Sequence, residues 1–199
     1  MKKIALTSFL AVFAVSAANA ATNYFVGGSA AIATDNDHDS GLIVAPEFGW
    51  KLNSNWDLGL GAHFGYDHKD RVTINGATGA AEGYYYGAGA FARYKVGQLG
   101  GIKLLLKGSA YVDFETYSPD QGDSETATSI DVDVTPMITY DISESFTLYA
   151  NLNFLGVHAG YDFKNDKLGI NKNWGFAAGA DTDDLANTSD FQIGFTYNF

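Results

Sequence analysis

The sequence predicts an all-β fold: an eight-stranded antiparallel up-and-down transmembrane β-barrel with its apolar face turned outward. Three observations carry that expectation. Apolar and polar residues alternate with period two through most of the chain, and no segment holds a helical period. Long polar loops alternate with very short turns. Aromatic residues gather at the strand ends on the apolar face, while the opposite face carries charges that a soluble core could not bury cheaply.

The amino terminus stands apart. Met1, Lys2 and Lys3 form a basic start, Ile4 to Ala14 an apolar run, and Ala18-Asn19-Ala20 a small-x-small site. The run is shorter than the roughly 20 residues of a spanning helix, so residues 1–20 read as a secretory signal peptide rather than an anchor. Residues 21–199 then form one domain, since no Pro/Ser-rich linker divides them. Cysteine is absent, so neither a disulfide nor a thiolate metal site is available. The net charge of −11, which falls to −13 once Lys2 and Lys3 are removed, argues against nucleic acid as a partner.

The strands follow in order. Asn23 to Ala33 sets Tyr24, Val26, Ala30 and Ile32 against Phe25, Ser29 and Ala31, then meets the acidic stretch Asp35 to Ser40. Leu42 to Leu52 returns, with Val44, Phe48 and Trp50 opposed to Ala45, Glu47, Gly49 and Lys51. Asn53-Ser54-Asn55 makes a tight turn into Trp56 to Tyr66. The loop from His68 to Glu82 contains Asn75-Gly76 between short β-prone runs, a small hairpin. Tyr84 to Val96 descends to a turn at Gly97 to Gly101, and Ile102 to Thr116 rises to the polar loop Ser118 to Thr128. Ile130 to Ile142 alternates most cleanly, and Ser143-Glu144-Ser145 reverses it into Phe146 to about His158. Trp174 to Ala180 reads as an extension of the eighth strand paired to Tyr161 to Phe163, with a bulge or loop at Asp181 to Thr188. Phe191 to Phe199 ends the chain with an aliphatic or aromatic residue at every second position.

The short turns at 53–55, 97–101 and 143–145 fall on the side of both termini if the strand number is even, and eight satisfies this. A repeat at an offset of 90 residues agrees. Pro46, Trp50, Leu52, Trp56, Leu58 and Phe64 fall on Pro136, Tyr140, Ile142, Phe146, Leu148 and Phe154. A soluble barrel would reverse inside and outside. Here aromatics flank every short turn on the apolar face: Trp50 with Trp56, Tyr94, Tyr140 with Phe146, and Tyr197 with Phe199. Phe64, Tyr66, Tyr84, Tyr86, Phe114, Phe154 and Phe191 form a second girdle toward the long loops.

The segments APEFGWKL (45–52), FARYKV (91–96), TPMITYDI (135–142) and GFTYNF (194–199) resemble strand-end patterns of the small outer-membrane β-barrel family, related in architecture to the outer-membrane-protein A and X type barrels. The resemblance implies location in the bacterial outer membrane. It also implies outer-membrane lipids and lipopolysaccharide as surroundings, passage by periplasmic chaperones and the barrel-assembly machinery, and Tyr197 and Phe199 as the assembly signal. Pro46 and Pro136 sit awkwardly in a closed barrel, which has no edge strand to absorb a missing N–H, so a local bulge is expected at each.

Inward-facing charges sort by height. Lys51, Arg93, Lys95, Lys103 and Lys107 face Glu47, Asp57 and Asp141 near the short turns, whereas Asp67, Asp113, Glu115, Asp131 and Asp133 lie with His63 toward the loops. An eight-stranded interior is only wide enough for side chains to fill it, and buried charges must pair. Glu47, Lys51, Arg93, Lys95 and Lys107 are therefore the candidate lumen ionic cluster, with Glu47, Arg93 and Lys107 as its packed centre. The alternative is a narrow ion-conducting pore. It is favoured by the glycine patch Gly59, Gly61, Gly65, Gly87 and Gly89, unless Tyr111, Tyr149 or Leu105 fills it. A lipid A-modifying enzyme would need a His beside a Ser nucleophile and an orienting acid, and His38, His63, His68 and His158 show no such setting. Asp35, Asp37, His38 and Asp39 read as a solvated loop rather than a calcium site, because one short loop rarely supplies six oxygen ligands. The expectation is a non-enzymatic, monomeric barrel without metal or cofactor, whose role is envelope-structural or lies in surface interaction through its loops.

Overall fold

The computed structural model describes residues 23–34, 40–74, 76–119, 123–180 and 191–199. The expected signal peptide, the stretch Asp35 to Asp39 and the bulge expected at Asp181 to Thr188 lie outside the described residues. The strands are β1 (Tyr24–Thr34), β2 (Ser40–Lys51), β3 (Trp56–Ile74), β4 (Ala77–Leu99), β5 (Ile102–Pro119), β6 (Glu125–Asp141), β7 (Phe146–Leu152), β8 (Leu155–Asp162), β9 (Asn173–Ala180) and β10 (Phe191–Asn198). Neighbours pair antiparallel in the order β5-β4-β3-β2-β1-β10-β7-β6, and β5 pairs with β6 to close an eight-stranded ring. Closure leaves no free edge in that ring, which is the condition for a sheet to sit in a membrane.

Three strand ends differ from expectation for a shared reason. Periodicity marks only the part of a strand that separates an apolar surface from a polar interior, so it fades where both faces meet water. The hairpin expected around Asn75-Gly76 is the tip of β3 and β4 themselves. Their pairing runs on to Ile74↔Ala77 through a bulge between Lys69 and Val72, and Gly76 turns it with φ +79°. The β5–β6 ladder likewise continues to Tyr117↔Glu125, and Thr116–Thr126 and Ser118–Ser124 hydroxyl pairs at 2.8 and 2.9 Å knit it. The five-residue turn expected at 97–101 is tighter. β4 reaches Leu99, opposite Ile102, and only Gly100 (φ +60°) and Gly101 turn.

The 90-residue repeat is real in three dimensions. In one hairpin the amides of Leu52 and Asn53 donate to the Trp56 carbonyl, and in the other those of Ile142 and Ser143 donate to Phe146. Asn53 Oδ1 accepts from the Trp56 amide at 3.0 Å, and Ser143 Oγ from that of Phe146 at 3.1 Å. The prolines then diverge. No bulge forms at Pro46: the β2–β3 ladder omits Ala45 and Pro46 but resumes in the same register, from Val44↔Phe64 to Glu47↔Gly61. At Pro136 the expected irregularity is present, and it lies in the partner. The advance from Val134 to Met137 on β6 faces the longer advance from Asn151 to Val157, so the expected strand 146–158 is split into β7 and β8 around Asn153-Phe154. Gly156 (φ +137°) makes that break possible, because a Cβ there would run into the Val134 carbonyl. The pairing expected at Trp174 is present, opposite Tyr161, and longer than expected, with β9 pairing the whole of β8 from Leu155↔Ala180 to Asp162↔Asn173.

Inside and outside are as the alternation requires. Leu60, Val132, Leu148, Ile193 and Phe195 are exposed on the outer face, whereas Phe25, Phe91, Leu105, Met137 and Tyr149 are buried in the lumen. The outer face carries aromatic contacts at both heights: Trp56–Tyr94 at 4.8 Å and Phe146–Phe195 at 5.5 Å toward the short turns, Tyr66–Tyr84 at 5.6 Å and Tyr86–Phe114 at 5.3 Å toward the loops. From Trp56 to Tyr66 is eleven residues, about what a tilted strand needs to cross a bilayer.

Candidate functional site: the lumen plug and the mouth beneath it

Glycines on one strand receive rings from the next. Phe25 lies opposite Gly49, Phe91 opposite Gly59, Tyr111 opposite Gly89 and Tyr149 opposite Gly194. A Cβ at any of these glycines would collide with its partner ring, so the missing side chain is what lets each ring lie flat across the lumen. The glycine patch is therefore filled. Tyr111 covers Gly61 and Gly89, Phe91 covers Gly59, and Leu105, Met137 and Tyr149 cluster from the far wall.

Arg93 lies among these rings. Its guanidinium carbon stands 4.6 Å from the Phe91 centroid, 5.2 Å from Phe25 and 5.3 Å from Tyr149, and its Nη2 donates to Glu47 Oε1. Both side chains are about 95% removed from solvent, at 4% and 5% exposure. A carboxylate and three ring faces stabilise one cation from several sides, an arrangement that suits the flat, weakly hydrated guanidinium better than an ammonium. Lys107, opposite Arg93 in the β4–β5 ladder, holds its Nζ 5.2 Å from the Phe91 centroid and makes no ion pair among the described residues.

Of the five candidate cluster residues, the fold thus brings Glu47 and Arg93 into contact and sets Lys107 beside them. Lys51 and Lys95 sit lower, around a cavity of about 220 Å³ between the plug and the short turns. Lys103 lines the same cavity and is paired with Asp141, which also accepts from Thr147 Oγ1 at 2.8 Å. The sequence reasoning missed Phe25 and Phe91 as plug residues. The available signal was each glycine with an aromatic residue at the facing position of the next strand, which register alone reveals.

Above the plug the lumen is acidic and hydrogen-bonded. His63 Nε2 lies 3.0 Å from Asp113, His158 Nδ1 2.8 Å from Asp133, Tyr85 donates to Asp67 at 2.9 Å and Ser129 to Asp131 at 2.8 Å. Across β5, β6 and β8, Ser109, Asp133 and His158 occupy one row. The carboxylate stands in the middle there, whereas nucleophilic activation needs the imidazole between serine and acid. His68 bonds Glu82 at 3.3 Å, and His38 lies outside the described residues. No three-residue metal-ligating group occurs among the described residues.

The carboxy-terminal strand completes the ring. Tyr197 pairs with Val26 on one side and Phe146 on the other, the Phe199 amide donates to the Tyr24 carbonyl at 3.0 Å, and the Tyr197 and Phe199 rings meet edge-on at 5.0 Å.

No family model matches the chain, and no curated protein matches it in sequence. Solved structures with a similar fold include Neisserial surface protein A, at 16% identity over 90% of this chain and 98% of that one with a TM-score of 0.53. The amino-terminal β-barrel domain of Pseudomonas aeruginosa OprF is 13% identical over 89% and 98%, with a TM-score of 0.45. Ail, the attachment invasion locus protein of Yersinia pestis, is 14% identical over 89% and 97%, with a TM-score of 0.40. At 16% identity the likeness to Neisserial surface protein A is one of fold.

Proposed function

We propose that this chain is a non-enzymatic outer-membrane barrel with a closed lumen, serving as an envelope-structural element and presenting its loop-side strand extensions for surface interaction. The observation that carries the reading is the plug. Glu47 and Arg93 are buried together within a ring of aromatic side chains that occupy the space a pore would need. The membrane placement rests on the apolar outer face, the two aromatic girdles and the absence of a free edge in the closed ring. Placement in the outer membrane rests on the even strand number and on short turns sharing a side with both termini. Residues 1–20 serve as the export signal, and the terminal Tyr197 and Phe199 engage the assembly machinery after chaperoned passage through the periplasm. The barrel works as a monomer among outer-membrane lipids and lipopolysaccharide. Beyond the upper girdle, β3, β4, β5 and β6 extend into water with paired hydroxyls, and that extension is the surface offered to a partner. Planar-bilayer recording on purified, refolded protein tests the closed lumen. No conductance steps are expected, and a reproducible ion-selective conductance would return the narrow pore to first place.

A further inference from the structure

The cavity between the plug and the short turns has a chemistry of its own. Its lining includes Lys51, Lys95, Lys103 and Arg93 against two acids, Asp57 and Asp141, so bases lead four to two in a chain whose net charge is −11. Asp141 is already committed to Lys103. Asp57 stands opposite Lys51 on one side and Arg93 on the other, yet neither Lys51 nor Lys95 forms an ion pair among the described residues. At the inner wall Arg93 is almost wholly buried, and its Nε has no hydrogen-bond partner. A buried guanidinium N–H left unsatisfied is costly unless something supplies an acceptor. Phe25, Leu105 and Met137 close the inner end and limit the depth to which water screens these charges.

We propose that this mouth is a binding site for a small oxyanion, a phosphate or carboxylate group held between Lys51 and Lys95 with Arg93 behind them. The volume of about 220 Å³ accommodates a phosphate ion or a short dicarboxylate. Point-charge ammonium groups at the rim draw in the anion, and the buried guanidinium adds positive potential from behind them. The site requires only the fold and stands whether or not the surface-interaction reading holds. In an outer membrane it opens toward the periplasm, on the side of the short turns.

The test titrates folded, detergent-solubilised protein with inorganic phosphate and, separately, with succinate, following the amide resonances of residues 51–57 and 93–95. Saturable shifts there, absent at Lys167 on the opposite side, are expected with at least one probe. Phosphate alone marks a phosphate-type site and succinate alone a carboxylate-type site. Lys51→Gln/Lys95→Gln should weaken binding about tenfold, the scale of two partly screened charges, and added salt should weaken the wild type in the same direction. Lys167→Gln should leave it unchanged. If the double variant does not fold, Lys95→Gln alone and wild-type shift mapping decide. Non-saturable shifts with both probes, or equal weakening in Lys167→Gln, would overturn the proposal.

Discussion

Glu47 on β2 and Arg93 on β4 are joined across β3, where they stand opposite Gly61 and Asp57, and the missing side chain of Gly59 between those positions admits the Phe91 ring that stacks against the guanidinium. The pair is therefore set among rings that two glycines admit, Phe91 at Gly59 and Tyr111 at Gly61. Removing Glu47 as Ala leaves Arg93 buried without its carboxylate and Lys107 beside it. The expected loss is about 3 to 5 kcal/mol, the usual result of breaking a buried pair, read as a lower urea midpoint in refolding titrations. An unchanged midpoint together with an anion-shifted reversal potential would mean that the lumen is wet.

Gly61 offers a sharper probe of the packing. A Cβ there would strike the Tyr111 hydroxyl, while the next atoms, Tyr111 Cζ and the Pro46 carbonyl, lie at 3.3 and 3.7 Å. Gly61→Ala should destabilise by roughly 1 to 3 kcal/mol through overpacking. In a Tyr111→Phe background the same change should cost much less, because the obstructing oxygen is gone. The double-mutant cycle measures this directly, and strict additivity would show that Tyr111 does not rest on Gly61.

Leu148 and Thr147 are neighbours that face opposite solvents. Leu148 is exposed on the outer face, whereas Thr147 lines the mouth and donates to Asp141. Leu148→Arg should cost up to about 2 to 4 kcal/mol, with the lower end expected near the short-turn girdle, and Thr147→Arg considerably less. Unfolding in liposomes compares them, and equal losses would reverse the assignment of faces.

Phe199 donates its amide to Tyr24 and packs on Tyr197 at the seam where the last strand meets the first. Deleting it, or replacing it with Asp, should leave secretion intact and reduce assembled barrel, with the variant accumulating in the periplasm or being degraded. Wild-type amounts of heat-modifiable protein in the outer-membrane fraction would remove the assembly role.

The amino-acid order by itself determined the strand number, the antiparallel succession, the direction of the apolar face and the equivalence of the two proline-bearing hairpins. Each follows from a local constraint. A strand between lipid and a polar lumen must alternate, and a turn of three residues fixes its neighbours, as Asn53 and Ser143 do for Trp56 and Phe146. Where alternation lapses, above Tyr66 and Tyr84, the strands continue unseen because backbone pairing and the Thr73–Thr78 hydroxyl pair hold them with little buried apolar surface beyond Ile74 and Ala81. The two prolines show the same limit: one proline is absorbed by a skipped pair and the other by a broken partner strand, and only the partner's residues decide which. The centre of the lumen belonged to the tertiary structure. Charge and inward direction marked Glu47 and Arg93, but their contact, the isolation of Lys107, and the rings of Phe25 and Phe91 depend on register. A one-residue slip would place every one of these side chains on the opposite face.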